Sequence, residues 1–395
     1  MQRVNEQPLK PVWKRLFPLM WAHFVNDFYA NVLPALLPLL KAKFDLSLAL
    51  IGLASTLFTG AASITQLAFG WLGDRLQRVN FVVWGPAFTG VFVATSALMP
   101  NYALLLLTLM LAGLGSAMFH PQATAIAGSL IKQRRGLVIS LFIAGGTVGF
   151  SLSPVVAALL FETAQRFAGR WEIGGWLLLV IAVACFVALR LSVLAPPVLH
   201  RASSPKMWSV LKPLLTMWLI VVLRHAAFLS LLTYLIILLQ QRGWTYQQGS
   251  VILTVFLLGG AVGSLAGGAL SDRFGRKRTV VLSLALAYPC LWAFLHGTDW
   301  IALVGLTLSG VALAINNPVI VAHAQELMPD HASTASAITM GLGWGTGSLI
   351  VSLVGLVADR WGIVFALDIV SAATLLAALL AFFTRAQPPE QRSSP

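Results

Sequence analysis

Residues 70–78 read GWLGDRLQR, and residues 268–278 read GALSDRFGRKR. The two segments begin 198 residues apart, which is half the length of the 395-residue chain. Each follows one long apolar stretch and precedes another, so each is expected to form a tight cationic hairpin between two helices. The spacing indicates an internal duplication whose two copies are embedded in a bilayer.

The composition is typical of an integral membrane protein. Hydrophobic residues make up 58% of the chain and charged residues only 10%, too few for a soluble globule with a polar surface. We expect an all-α fold of two pseudo-symmetric six-helix halves, residues 1–194 and 209–395, joined by a Pro- and Ser-rich linker at 195–208. At roughly 20 apolar residues per span, the twelve predicted helices lie near 14–40, 46–72, 80–99, 103–130, 136–161, 173–194, 209–239, 246–270, 279–295, 300–326, 333–357 and 363–384.

Lysine and arginine residues concentrate on one side of these spans. If the N-terminus is inside, 19 of the 26 lie on the inner side, six lie outside, and Arg224 lies within a span. Because cationic loops stay in the cytoplasm, we predict a multi-pass protein of the plasma (inner) membrane with both termini cytoplasmic. Basic loops beside anionic lipid of the bilayer account for the net charge of +13, so nucleic acid is not an expected partner.

The duplication extends beyond the two loops. FHP at 119–121 corresponds to NNP at 316–318 with an offset of 197, and two glycine pairs share the offset of 198: Gly145 with Gly343, and Gly149 with Gly347. Proline leaves a helical carbonyl without its partner, and small residues let helices approach closely. Ordinary packing can explain each glycine alone, whereas their repetition favours an interface that moves.

These features together resemble the major facilitator superfamily of secondary transporters, and the resemblance covers the whole chain. The segment at 268–278 nearly matches the family's gate loop, and the segment at 70–78 departs from it at Gln77 and Val79. The resemblance implies a functional monomer in which the loop's Asp caps a helix of the other half and pairs with Arg when the inner side is shut. The gate residues that it implies are Gly70, Asp74, Arg75, Arg78, Gly268, Asp272, Arg273, Gly275, Arg276 and Lys277.

Two shorter strings, AHFVND at 22–27 and FHP at 119–121, resemble the fosmidomycin-resistance group of drug exporters within that superfamily. This resemblance implies proton-driven efflux of a small, drug-like or anionic compound. The superfamily resemblance also implies that the first, fourth, seventh and tenth helices surround a central path.

Charged residues inside spans indicate a coupling site independently. Asp27 lies near the middle of the first helix, where a lone carboxylate is costly and usually functional, and His23 lies one turn before it on the same face. We interpret the two as the proton-coupling site. Applying the offset of 198 places Arg224 and His225 within two residues of Asp27. We expect Arg224, whose guanidinium suits carboxylates and phosphonates, to bind Asp27 when the site is empty and an anionic substrate when it is occupied. A permanent Asp27–Arg224 bridge remains an alternative.

Other polar and aromatic residues of the spans are candidate substrate contacts. His120 and its repeat partner Asn317 fall on the fourth and tenth helices. A packing role remains an alternative for each histidine and aromatic residue. The candidate set, which includes Arg224, is completed by His225, His120, Asn26, Asn317, Tyr29 and Trp344.

Nothing in the sequence predicts an enzyme. It contains no P-loop, no His-Glu-x-x-His zinc motif and no nucleophile elbow, and Cys185 and Cys290 lack the spacing of metal ligands. We expect no cofactor and no metal. The sequence favours a proton-coupled antiporter that exports a small molecule by alternating access. Alternatives are a proton-coupled symporter that imports an organic anion and a non-transporting membrane sensor, which the short tails disfavour.

Overall fold

The computed structural model describes residues 9–75, 80–130, 135–192, 207–328 and 332–384. The first half contains α1 (Leu9–Ala30), α2 (Leu33–Phe44), α3 (Leu48–Ile64), α4 (Gln66–Arg75), α5 (Phe81–Ser96), α6 (Tyr102–Ser129), α7 (Arg135–Ala168) and α8 (Ile173–Leu191). The second half contains α9 (Met207–Gln241), α10 (Tyr246–Phe274), α11 (Arg276–His296), α12 (Asp299–Leu327), α13 (Ala332–Ser336), a π-helical turn (Ala337–Leu342), α14 (Gly343–Trp361) and α15 (Ile363–Phe383).

These helices form the twelve expected spans, so the predicted fold class is confirmed. Ten helical stretches of the described chain are long and apolar enough to cross a membrane, and the 16-residue α5 and the broken α1–α2 pair complete the set. Helix ends differ from prediction by up to seven residues, as at α7, which continues to Ala168. Hydropathy marks the membrane-embedded part of a helix and not its solvated ends. Residues 195–206 of the predicted linker lie outside the described residues.

The first span is broken between α1 and α2. Pro34 has no backbone N–H, so the carbonyl of Ala30 loses its helical partner and the helix restarts at Leu33. The side-chain amide of Asn31, within the break, donates a hydrogen bond to the Phe150 carbonyl of α7 at 2.6 Å. This bond fixes the break against a neighbouring helix of the same half.

Glycines of the duplicated landmarks bring α7 against α1 and α14 against α9. A Cβ on Gly145 would lie 2.6 Å from the Met20 carbonyl oxygen, and one on Gly347 would lie 2.9 Å from the Val222 carbonyl oxygen. Gly149 and Gly343 make equally close contacts on the same helix pairs. The four glycines therefore lie at close helix contacts within each half, and movement at these contacts stays a prediction.

The halves meet where α3 packs on α14 and α7 packs on α10. We call the side at which α1 begins and α15 ends the terminal face, and the other side the opposite face. Near the opposite face, the Asp359 carboxylate accepts hydrogen bonds from the backbone N–H groups of Leu48 at 2.7 Å and Ala49 at 2.9 Å. The hydroxyls of Ser55 and Thr233 form a further bond between the halves at 2.8 Å. The halves are thus held together by hydrogen bonds near the opposite face.

Candidate functional site

A cluster of His23, Asp27 and His120 lies between α1 and α6. His23 and Asp27 are one turn apart on α1, and the Nε2 atom of His23 lies 3.2 Å from Asp27 Oδ2. His120 projects from α6, with its Nε2 atom 3.5 Å from Asp27 Oδ1. The side chains of His120 and Asp27 are 28% and 18% exposed, whereas that of His23 is 8% exposed. The cluster is therefore accessible on its His120 side.

The hydrogen-bond partners of His23 determine what the cluster holds. Its Nδ1 atom lies 2.9 Å from the Phe142 carbonyl oxygen, which can only accept, so Nδ1 is assigned as the protonated nitrogen. Its Nε2 atom then faces an Asp27 oxygen across 3.2 Å. A neutral imidazole nitrogen and an ionised carboxylate are both acceptors and would repel each other there. One proton between these two atoms, on either of them, satisfies both.

Asn26 orients this cluster instead of contacting substrate as predicted. Its side chain is fully buried, and its amide nitrogen lies 3.0 Å from Asp27 Oδ1 and 3.3 Å from the Ser116 hydroxyl. The Thr89 hydroxyl donates to its carbonyl oxygen at 3.2 Å. Asn26 therefore has a positioning role.

Tyr29 also departs from its predicted role as a substrate contact. It is buried between α1 and α8, where its hydroxyl donates to the Leu178 carbonyl at 2.7 Å. Its position four residues from Val25 gives it the side of α1 that packs inside the first half. Tyr29 is a packing residue in this structure.

Arg224 is a buried cation of the second half, 2% exposed. One terminal nitrogen donates to the Leu313 carbonyl of α12 at 2.9 Å, and the guanidinium lies 6.0 Å from the centre of the Phe228 ring. Its Nε atom has no hydrogen-bond partner among the described residues, and no described carboxylate forms an ion pair with it. The expected Asp27–Arg224 pair is not formed, because Asp27 is engaged by histidines of its own half.

Asn317 and Trp344 line one crevice of the second half, and His225 lies beside it through its contact with Trp344. The His225 ring stacks on Trp344 with centroids 5.1 Å apart and planes 2° from parallel. Neither ring nitrogen of His225 has a hydrogen-bond partner within the described chain. This crevice is narrow, with room for about one water molecule, and it is lined by Val221, Asn317, Ile320, Val321, Thr339, Met340 and Trp344. Since residues three and four positions apart share a helix face, Arg224 and His225 lie on the same side of α9 as Val221.

Comparisons with known proteins agree with this architecture. The family model described as Major Facilitator Superfamily matches residues 19–251 and 217–395. The chain belongs to the Major Facilitator Superfamily. It is 28% identical over 378 residues to the Fosmidomycin resistance protein of Escherichia coli (strain K12), with 91% of this chain and 90% of that protein covered. It is 26% identical over 378 residues to the uncharacterized MFS-type transporter YfnC of Bacillus subtilis (strain 168), with 92% and 90% covered.

A solved structure shares this fold over nearly the whole chain. The crystal structure of a mutant of the nucleoside transporter NupG superimposes with a TM-score of 0.76, 14% identity, and coverage of 93% of this chain and 100% of that one. The protein is thus a membrane transporter of the superfamily, and the resemblance inferred from the gate loops and from the strings at 22–27 and 119–121 is confirmed.

The segment at 268–278, the second copy of the loop motif, forms its ion pair with a residue of its own half. The Nε atom of Arg276 donates to both carboxylate oxygens of Glu326 on α12 at 2.8 Å. The side chains of Asp272 and Arg273 are exposed, so Asp272 does not cap a helix of the other half in this conformation. Gly275, with φ +85°, ends α10 in a conformation that favours glycine.

Gly128 occupies the position equivalent to Glu326 in the first half, which therefore has no carboxylate there. In the first copy of the loop, Gly70 lies against α6, where a Cβ would be 3.7 Å from Pro121. The side chains of Asp74 and Arg75, and the whole of Arg78, lie outside the described residues.

Proposed function

We propose that the protein is a proton-coupled antiporter that exports a small, drug-like or anionic organic compound by alternating access, with its terminal face in the cytoplasm. The observation that carries this proposal is the division of charge between the halves. The first half holds a carboxylate that requires a proton between it and His23, and the second half holds Arg224 without a carboxylate partner in the described chain. The relative named for fosmidomycin resistance supports export as the direction.

Arg224 is the proposed anion-binding group. A buried cation without a counter-charge is unfavourable, since several kcal/mol of hydration free energy are lost on burial. The Leu313 carbonyl occupies one of its donors, which leaves other N–H groups for a carboxylate, phosphate or phosphonate. The crevice beside Trp344 is narrow in this conformation and would have to widen as the halves move before it could hold the apolar part of the compound.

Exchange requires that proton and substrate exclude each other. Asp27 provides that competition if the substrate carries a hydroxyl or amine that donates a hydrogen bond to the Asp27 carboxylate. This donor would replace the proton that lies between His23 and Asp27. A compound that binds Arg224 through an anionic group and Asp27 through a donor group would therefore release a proton on binding. Rocking of the two halves then delivers the compound to one side and the proton to the other.

Charge balance favours a second candidate, proton-coupled uptake of an organic anion. With a monoanion on Arg224 and a proton between His23 and Asp27, the charges of these groups sum to zero. With only the monoanion or only the proton bound, they sum to one negative or one positive charge. A substrate with no donor group for Asp27 would thus bind together with the proton. This mechanism uses the same residues with the opposite direction of coupling.

Proton movement in vesicles separates these candidates. We would reconstitute the protein in liposomes containing a pH-sensitive dye and add small phosphonates, organic acids and cationic drugs in buffer containing a chelator. Substrate should release protons from an antiporter and cause proton uptake with a symporter. Asp27→Asn and Arg224→Ala should abolish coupled movement, while two matched changes on exposed or peripheral groups, Asp368→Asn and Arg360→Ala, should preserve it. Coupled movement that survives in Asp27→Asn would overturn both candidates.

A further inference from the structure

The three side chains of the cluster also have the geometry of a metal site, which the sequence did not predict. The ligand atoms of His23, Asp27 and His120 all lie within 4.8 Å of one another. In a tetrahedral zinc site with bonds of about 2.1 Å, neighbouring ligand atoms are roughly 3.4 Å apart. The distances from Asp27 oxygens to the Nε2 atoms of His23 and His120 are 3.2 and 3.5 Å. These two distances end on different carboxylate oxygens, so Asp27 would turn one oxygen toward both histidines and the three ligand atoms would draw together to enclose an ion.

His23 is oriented as metal-ligating histidines are. Such histidines donate their second ring N–H to a carboxylate or carbonyl, which fixes the ring and directs the other nitrogen at the ion. The Phe142 carbonyl, 2.9 Å from Nδ1, has this position, and it leaves the Nε2 lone pair directed at Asp27. Gly146 of α7 makes room for the ring, since a Cβ there would overlap the imidazole.

The site has an entry side and an open coordination position. His120 and Asp27 retain 28% and 18% exposure, so an ion can reach them without unfolding α1. Three protein ligands leave the fourth tetrahedral position for water or for a substrate atom. The amide of Asn26, 3.4 Å from His120 Nε2, would have to yield to the ion on this side.

We propose that His23, Asp27 and His120 bind one divalent transition-metal ion of the zinc class. Two imidazoles and a carboxylate suit zinc, cobalt and nickel better than magnesium or calcium. The ion would occupy the space of the proton held between His23 and Asp27, so its binding would expel that proton and inhibit coupled transport. The inhibition rests on the proposed coupling role of Asp27, whereas the binding itself does not.

Cobalt absorption tests the site without substrate or a proton gradient. The full-length protein, without a polyhistidine tag, would be placed in nanodiscs and titrated with Co²⁺, whose visible bands report coordination by the protein, and then with Zn²⁺. We expect one Co²⁺ per chain, displaced by Zn²⁺. His120→Gln should weaken binding by more than tenfold, since the loss of a residue that only hydrogen-bonds to a metal ligand already lowers affinity by about tenfold to a hundredfold.

A second His–Asp pair provides the matched control. His296 lies 3.2 Å from Asp368, the same distance as His23 from Asp27, but this pair has no third ligand close enough to form such a group in the described chain. His296→Gln should bind Co²⁺ as the unmodified protein does. Thermal unfolding without metal would verify that His120→Gln folds, and Zn²⁺ should raise the Tm of the unmodified protein much more than that of the variant.

Failure to bind Co²⁺ in the unmodified protein, or equal affinity in His120→Gln, would overturn the metal site and leave the transport proposal untouched. Equal loss of binding in His296→Gln would likewise overturn it, because the ion would then bind peripheral histidines. If Asp27→Asn still shows coupled proton movement in buffer with a chelator, the transport proposal fails. The predicted inhibition by the metal ion then fails with it, but the predicted metal binding does not.

Discussion

At the scale of single residues, His23 determines how Asp27 can act. The Phe142 carbonyl fixes one ring nitrogen, so a cation is needed between the other nitrogen and the carboxylate. Asn26 holds the same carboxylate from the other side at 3.0 Å. A proton bound here is therefore shared between two helical positions one turn apart, and small shifts of α7 against α1 would change its affinity.

Gly146→Ala tests this dependence on ring position. The new Cβ would overlap the His23 imidazole, so the ring must move away from Asp27. We expect a loss of stability of about 1–3 kcal/mol and a clear loss of substrate-dependent proton movement in proteoliposomes. Gly260→Ala is the matched control, because its Cβ would find its nearest neighbour at 3.6 Å. Normal coupling in Gly146→Ala would show that the ring position is unimportant.

Arg224→Met separates an anion-binding role from a structural one. Replacement of a buried ion pair by apolar side chains of similar volume is often neutral or stabilising by about 1–4 kcal/mol, and a buried arginine without a counter-charge bears the desolvation penalty without the compensating attraction. We therefore expect the Tm of the free protein to stay the same or to rise, while stabilisation by an anion found active in proteoliposomes disappears. A large fall in the Tm of the free protein would instead indicate that Arg224 holds α9 against α12.

At the scale of elements, the end of α14 carries a third copy of the loop sequence found at 70–78 and 268–278. Residues 355–362 read GLVADRWG and match GALSDRFG at 268–275 in both glycines, the Asp-Arg pair and the aromatic residue. The closing glycines also share a backbone conformation, with φ +90° and ψ 155° at Gly362 and φ +85° and ψ 148° at Gly275. This third copy lies at the opposite face, where Asp359 caps α3 of the other half.

Asp359→Ala should loosen the opposite face. Removal of a helix cap costs about 0.5–2 kcal/mol, which corresponds to roughly a twofold to thirtyfold increase in the population open at that face. In a background without Cys185 and Cys290, a cysteine at Ser55 should then react faster with a membrane-impermeant thiol reagent added on that side. Asp45→Asn, an exposed change on the same face, should leave the rate unchanged. Equal rates in both variants would mean that the cap does not hold the halves together.

At the scale of the whole molecule, the charges of the two halves determine whether a cycle moves charge. Exchange of one proton for one monoanion moves two charges across the membrane, whereas symport of the two moves none. An inside-negative potential should therefore drive export by about 2.3 kcal/mol per charge for each 100 mV. Substrate flux into everted vesicles under potassium gradients with valinomycin measures this. Potential-independent flux of a monoanion would favour symport.

The sequence by itself determined the architecture and one part of the site. Long apolar stretches predict spans from local composition, and the offset of 198 between GWLGDRLQR and GALSDRFGRKR predicts two related halves. The spacing of four between His23 and Asp27 places both on one helix face, which needs no knowledge of neighbouring helices. The superfamily resemblance followed from the same segments.

Only the tertiary structure decided which helix faces meet. It joined His120 to Asp27, directed Arg224 toward Leu313 instead of Asp27, and placed Asn26 and Tyr29 inside the first half. In a soluble protein the apolar side of a helix identifies the core, but lipid is as apolar as the protein interior. The rotation of each span is therefore set by contacts such as those of Gly145 on Met20, between residues more than a hundred positions apart.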